Sequence, residues 1–174
     1  MIDRRGILAA DFAVISLLSV GGASSVLPEM HRSLVDVHGW MTSREFAEMF
    51  ALAQAAPGPN VLVVSLLGWK AAGIAGALVT TVAMILPSSL LTFYVDRAWR
   101  GEAAAAWRDV IDNGLAPITV GLIFAGGALL AVASDSNLVA ALFTAACALI
   151  AWRTKVHPLW MIAAGALAGV AGFV

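Results

Sequence analysis

An all-α polytopic membrane protein is the fold class that this sequence predicts, and three observations predict it. Of its 174 residues, 61% are hydrophobic and 12% charged, about half the charge that a soluble domain carries. Six apolar regions follow one another with short polar segments between them. All six tryptophans (Trp40, Trp69, Trp99, Trp107, Trp152, Trp160) fall at the ends of those regions or in the loops, where amphipathic rings settle at a membrane–water boundary. A single membrane-embedded domain over residues 1–174 is expected, with lipid around it. The net charge of −1 gives no pull toward nucleic acid, and no nucleic-acid partner is expected. A lone cysteine, Cys147, excludes a disulfide or a cysteine-based metal site within one chain.

The first apolar region runs from about Ile7 to Leu27 and starts beside Arg4 and Arg5. It resembles a signal peptide, but Asp11 interrupts it and the rest of the chain is itself apolar. An uncleaved first span is therefore expected. Gly21 and Gly22 lie near its end, where glycine either unwinds a helix or permits close packing. Beyond it, Met30, Leu34, Val37 and Met41 describe an amphipathic helix that carries Glu29, His31 and Arg32.

The second region, Phe46 to Leu67, is broken by Gln54-Ala55-Ala56-Pro57-Gly58-Pro59-Asn60. Pro-Gly-Pro cannot continue an α-helix, because two amide donors are missing and the glycine adds freedom. In hydrocarbon each unpaired backbone group costs several kcal/mol, so such a break persists only beside protein or a watered cavity. Broken helices at membrane depth are where transporters bind ions. Before the break, Thr42-x-x-Glu45 forms a capping box for a helix over residues 43–56, with Phe46, Met49, Phe50 and Ala53 on one face. That helix reaches ~20 Å, short of the ~30 Å hydrocarbon layer. Either a re-entrant hairpin or one broken crossing follows; the hairpin is preferred.

The third region, Ala71 to Val95, contains Pro87; the last three are Leu115 to Ala133, Leu138 to Ala151 and Leu159 to Val174. The hairpin leaves about five transmembrane helices, an odd number, so a second copy would sit inverted, as in one half of an inverted-repeat transporter. Basic residues then divide seven (Arg4, Arg5, Arg97, Arg100, Arg108, Arg153, Lys155) against three (Arg32, Arg44, Lys70). This places the N-terminus in the cytoplasm, whereas the broken crossing also splits the basic residues seven to three, with the N-terminus outside.

Several spaced motifs resemble the chromate transporter (CHR) family. They are Gly21-Gly22, Pro28-Glu29-Met30-His31-Arg32, Gly39-Trp40-Met41-Thr42, Phe46, and Ala53 through Asn60. The likeness continues through Gly68-Trp69, Gly73, Gly76-Ala77-Leu78, Pro87-Ser88, Gly114-Leu115-Ala116-Pro117 and Val120-Gly121-Leu122. Val20 departs from it, standing where an aromatic residue often precedes the Gly-Gly pair. The length resembles the short, single-domain form of the family. That likeness implies proton-driven export of chromate, or of sulfate as its mimic, across the cytoplasmic membrane by a homodimer or a paired half-size chain of opposite orientation.

A tetrahedral dianion needs converging donors, which helix N-termini supply. The expected substrate-binding set is Gln54, Pro57, Gly58, Pro59 and Asn60 at the break, Gly21 and Gly22 beside it, Ser88 after Pro87, and Thr119 in a helix expected to start after Pro117. For Pro87 and Pro117 alone, a kink that shapes packing is the plainer reading. Arg32 is suited to draw an anion in, and Glu29 or His31 to titrate during proton coupling; a solvated interfacial face accounts for each equally simply. Asp11 is an acid about a turn into the first span. Gly165-x-x-x-Gly169 and Gly73-x-x-x-Ala77 suit helix packing. No enzyme is expected: His31, His38 and His157 form no His-Glu-x-x-His, and no Gly-x-Ser-x-Gly elbow occurs. Neither a cofactor nor a metal is expected.

Overall fold

The computed structural model describes residues 3–19, 21–56, 58–98, 102–135, 137–154 and 157–170; for residues 98, 102–110, 112, 158 and 170 this extends to the backbone only. Every element among the described residues is helical. In order these are α1 (Arg4–Leu18), a 3-10 turn (Ala23–Val26), α2 (Leu27–His31) running into a π-helical turn (Arg32–Val37), α3 (Ser43–Ala55), α4 (Leu62–Ala98), α5 (Glu102–Ser134), α6 (Leu138–Arg153) and α7 (Pro158–Val170). Two units result, Met1–Gly126 and Gly127–Val174. Trp99, Arg100 and Lys155, and Pro57 of the break, lie outside the described residues.

The expected first span is not one rod. Gly21 and Gly22 take φ of +98° and +92°, a conformation nearly closed to residues with a Cβ. Across them the axis turns through 118° between α1 and residues 23–37. The chain thus comes back along α1, and Ser33 and His38 both reach Asp11.

A second reversal follows. The capping box expected at Thr42 and Glu45 is present, and α3 ends at Ala55, just before the Pro-Gly-Pro break. Phe46, Ala47 and Ala53 are buried on its inner face. The chain returns in the first arm of α4. That helix is itself two arms, 62–71 and 74–98, hinged where Ala72 leaves helical geometry and Gly73 takes φ +67°. The arms are antiparallel: Thr80 Oγ1 lies 3.0 Å from Val64 C=O and Ser65 Oγ lies 2.7 Å from Thr81 Oγ1. A Cβ on Gly68 would come within 2.6 Å of Gly76 C=O, so backbone meets backbone. Between lipid-embedded helices this close approach, with hydroxyl bonds, takes over from the hydrophobic effect as the cohesive force.

The core of the first unit is formed by Leu8, Phe12, Met30, Leu34, Phe46, Val64 and Leu67, none of which exposes any surface. Helix α1 runs parallel to the second arm of α4, with Arg4 Nη1 donating to Ala71 C=O at 3.0 Å and Ser16 donating to Met84 C=O. Two stretches, Leu62–Arg97, which contains the Ala72–Gly73 hinge, and Asn113–Ser134, are long and apolar enough to cross a membrane by length and composition; α1 with residues 23–37 qualifies only as a bent pair. Helices α6 and α7 are shorter. In the second unit Asn137 caps α6 through the Ala140 amide at 2.8 Å, and Thr144 Oγ1 donates to Asp135 at 2.8 Å.

The basic residues regroup accordingly. Arg4 bonds Ala71, next to Lys70, and Lys70 pairs with Glu45, next to Arg44. Arg4, Arg44 and Lys70 therefore share one end, which neither sequence-based division places together. The physical reason is the glycine reversal, which returns the first apolar region to the end where it began.

Candidate functional site

Two reversals face the second arm of α4 within ~8 Å of one another along its axis. Counting antiparallel from the Val64–Thr80 and Ser65–Thr81 bonds brings Val61 level with Met84. Ser16 touches Met84 and Ser88 directly, so Ser19 to Gly22 lie about one turn further along, ~5 Å. Along the second arm of α4 the second tip stands ~17 Å and the first ~25 Å from the hinge at residues 72–73, both less than a ~30 Å hydrocarbon layer.

At the first tip, Gly21 abuts Thr119: a Cβ placed on Gly21 would overlap the Thr119 side chain. Two residues far apart in sequence and both expected in the substrate set are thereby brought together. Gly22 has open space around it. Helix α5 then passes α2, where a Cβ on Gly126 would sit 3.4 Å from Leu27 Cβ. It runs through Pro117 without interruption, so the helix N-terminus expected there is absent, and Thr119 contributes a side chain in mid-helix.

At the second tip, Gly58, Pro59 and Asn60 are exposed, as is Gln54 on the last turn of α3. The helix start is tightened by short bonds: Leu62 N–H donates to Pro59 C=O at 2.9 Å, Val63 to Asn60 at 3.4 Å and Val64 to Val61 at 3.0 Å. Three amides of the new helix are therefore turned onto its own loop. What faces outward is the Asn60 side chain and the loop backbone before Leu62.

Ser88 differs from its expected role. Its amide donates to Ser16 Oγ at 3.2 Å, and its hydroxyl lies 3.3 Å from both Met84 and Ile85 carbonyls of its own helix. The hydroxyl is thus directed at backbone, and the helix continues through Pro87.

A second polar locus lies between α1 and the returning segment. Asp11, Glu29, Arg32, Ser33, His38 and neighbouring valines line a cleft of about 280 Å³. Asp11 Oδ2 accepts from Ser33 Oγ at 2.6 Å and sits 2.9 Å from His38 Nε2. Arg32 grips Glu29 at 2.6 Å. His31 is placed elsewhere: it is buried, 3.0 Å from Ser43 Oγ, 3.5 Å from Asp36, and edge-on to Phe46. Sequence reasoning singled out Glu29, His31 and Arg32 but gave His38 no role. The available signal was symmetry, since Asp11 and Ser33 are equidistant from Gly22 along the chain.

The shared end is clasped. Lys70 Nζ lies 2.8 Å from Glu45 Oε1, and Glu45 also accepts from the Thr42 amide at 2.8 Å. Its carboxyl is lowered to about 2, chiefly by the Lys70 hydrogen bond and then by the Thr42 backbone and hydroxyl. Arg4 lies over the Trp40 ring, which stacks on His38 at 4.4 Å.

Apolar helices of spanning length, interrupted partners and a polar cleft define an α-helical membrane protein of the broken-helix kind. Residues 7–170 match the family described as Chromate transporter, and the chain belongs to that family. It is similar to the "Chromate transport protein" of Pseudomonas aeruginosa, at 31% identity over 88% of this chain and 38% of that protein. It is 32% identical to the "Chromate transport protein" of Cupriavidus metallidurans over 64% of this chain and 28% of that protein. It is also 34% identical to the "Uncharacterized transporter YwrA" of Bacillus subtilis over 45% of each. The chain spans less than half the length of these relatives. No solved structure matches it.

Proposed function

We propose that this chain is one half of a secondary active transporter that exports chromate, or a sulfate-like oxyanion, across the cytoplasmic membrane, driven by protons. Two backbone reversals within ~8 Å of one another along α4 carry the proposal. A break in hydrocarbon is costly unless it lines a cavity, and two neighbouring breaks offer backbone groups and the Asn60, Gln54 and Thr119 side chains to one dehydrated anion. In this arrangement residues 4–37 and 43–71 form two re-entrant hairpins that enter and leave at the Arg4, Arg44 and Lys70 end. The second arm of α4 and α5 cross beside them.

Gly21, Gly22, Gly58, Pro59 and Asn60 supply the anion site, together with Pro57 in the same loop. Ser88 contributes through its place beside Ser16 rather than as a donor. Arg32 and Glu29 stand at the cleft as gating charges, while His31 lies away from it against Ser43 and Phe46. A homodimer, or a paired half-size chain, completes the cavity.

The test is uptake into liposomes by the purified protein, comparing chromate, sulfate and molybdate with and without a pH gradient. Saturable chromate uptake that an opposing proton gradient accelerates is the expected result. Flux of another anion alone reassigns the substrate, and no anion flux at all leaves a membrane subunit that does not transport.

A further inference from the structure

We propose that Asp11 and His38, with Ser33, bind the coupling proton, and that this pair fastens the returning segment 23–37 to α1. The inference rests on the transport reading above and assigns the proton within it.

Asp11 is an acid in the middle of an otherwise apolar helix face, and such a group is retained where it works. Its Oδ2 holds two partners on the returning segment, Ser33 at 2.6 Å and His38 at 2.9 Å. Both partners lie beyond the glycine reversal, so these two bonds hold the strands of one hairpin together. The side chains of His38 and Asp11 retain 22% and 30% of their exposure, opening onto the cleft. Protons therefore have a route to the pair.

The charges around it come from both sides. On the returning segment, Arg32 stands at the cleft with Glu29 bound to it, and Asp36 pairs with His31. From the start of α1, Arg4 acts across Trp40, which stacks on His38. Toward α4, α1 offers Ser16 and Arg4, each already bonded to a backbone carbonyl.

Protonating the carboxylate removes the charge that accepts both bonds and weakens the hold on segment 23–37. The far end of that segment is the Gly21–Gly22 tip, which abuts Thr119. Proton occupancy at Asp11 is thereby linked to the geometry of the anion site through one short hairpin. Arg32, freed from an ionised neighbour, is left more available to an entering anion.

The experiment uses Asp11→Asn in liposomes and reads the ratio of pH-gradient-driven chromate uptake to chromate–chromate exchange. The ratio is expected to fall about 5- to 150-fold, the span of an ordinary coupling free energy. A ratio equal to that of the unaltered protein overturns the assignment. Should Asp11→Asn fail to insert, Ser33→Ala decides, because removing a donor to a carboxylate favours its protonated form. The pH of half-maximal coupled uptake then moves upward, and an unmoved pH profile overturns the proposal. Absence of exchange in the unaltered protein overturns the transport reading instead, so the two failures are distinct.

Discussion

The Ser16 hydroxyl occupies a place in the hydrogen-bond ladder of α4, accepting from the Ser88 amide at 3.2 Å while donating to Met84 C=O at 2.5 Å. Ser88 N–H and Met84 C=O are the pair that an unbroken helix would join directly. Pro87 lies within this turn, and a side chain from α1 bonds to both groups. Ser16→Ala is expected to cost about 1 kcal/mol, because a buried amide and carbonyl lose their shared partner. Ser88→Ala is expected to fall within about 0.5 kcal/mol of the unaltered protein, as its hydroxyl only reaches carbonyls of its own turn. Unfolding by SDS titration compares the two, and equal losses would contradict this account.

The glycine pair separates two causes of damage. Gly22 has a left-handed φ and open space, whereas Gly21 has both a left-handed φ and Thr119 against it. Gly22→Ala therefore isolates backbone strain, about 1–2 kcal/mol. Gly21→Ala adds a steric conflict and is expected to be worse in both stability and uptake. Thr119→Ser, which removes the overlapping methyl group, should recover part of the Gly21→Ala loss and nothing of the Gly22→Ala loss.

Glu45 and Lys70 clasp the mouth of the second hairpin, and their pH dependence has a definite sign. The carboxyl is depressed to about 2 in the folded protein by the Lys70 and Thr42 bonds. Its stabilising effect is therefore full above the ordinary carboxylate range and fades only as pH falls toward 2. Glu45→Gln should lower stability by the same amount at every pH from about 5 to 8. It should leave the pH profile of uptake in place. A shifted profile in this variant would make Glu45 a coupling group rather than a clasp.

Much of this architecture was legible in residue order because it rests on local chemistry. Thr42 and Glu45 announce a capped helix start, and Pro-Gly-Pro announces its end, since both effects need only neighbouring residues. Gly21 and Gly22 were readable as a weak point, but apolar periodicity does not record direction, so a helix that crosses and one that doubles back look alike. The difference lies in Asp11 meeting Ser33 and His38, a contact between segments. Pro117 misled for the converse reason: proline in a long apolar helix can be accommodated when neighbours re-satisfy the freed carbonyl. Ser88 fits a donor by type alone; only its distances to Met84 and Ile85 show where its proton goes.

Accessibility labelling tests the two-hairpin topology. In a Cys147→Ala background, single cysteines at Arg44, Trp69 and Arg97 should divide two against one. Arg44 and Trp69 flank the Glu45–Lys70 clasp and are expected to react from one side of the membrane. Arg97 lies ~37 Å along the second arm of α4 and is expected to react from the other. Reaction of Arg44→Cys and Trp69→Cys from opposite sides would convert the second hairpin into a crossing.

Asn60 is the sharpest test of the anion site. The amides of Leu62, Val63 and Val64 are turned onto the loop, so the helix start offers an anion less than an open N-terminus would, and the exposed Asn60 side chain has to supply the difference. Asn60→Ala is therefore expected to reduce saturable uptake by about 10- to 150-fold, the loss of about 1.5–3 kcal/mol that accompanies removal of a hydrogen bond to a charged group. Asn60→Asp, of the same shape but with an acceptor and a negative charge, should lose more than Asn60→Ala. Both variants should insert and migrate as the unaltered protein does, since Asn60 is exposed. If Asn60→Asp transports as well as Asn60→Ala, charge at this position is irrelevant and the anion passes elsewhere.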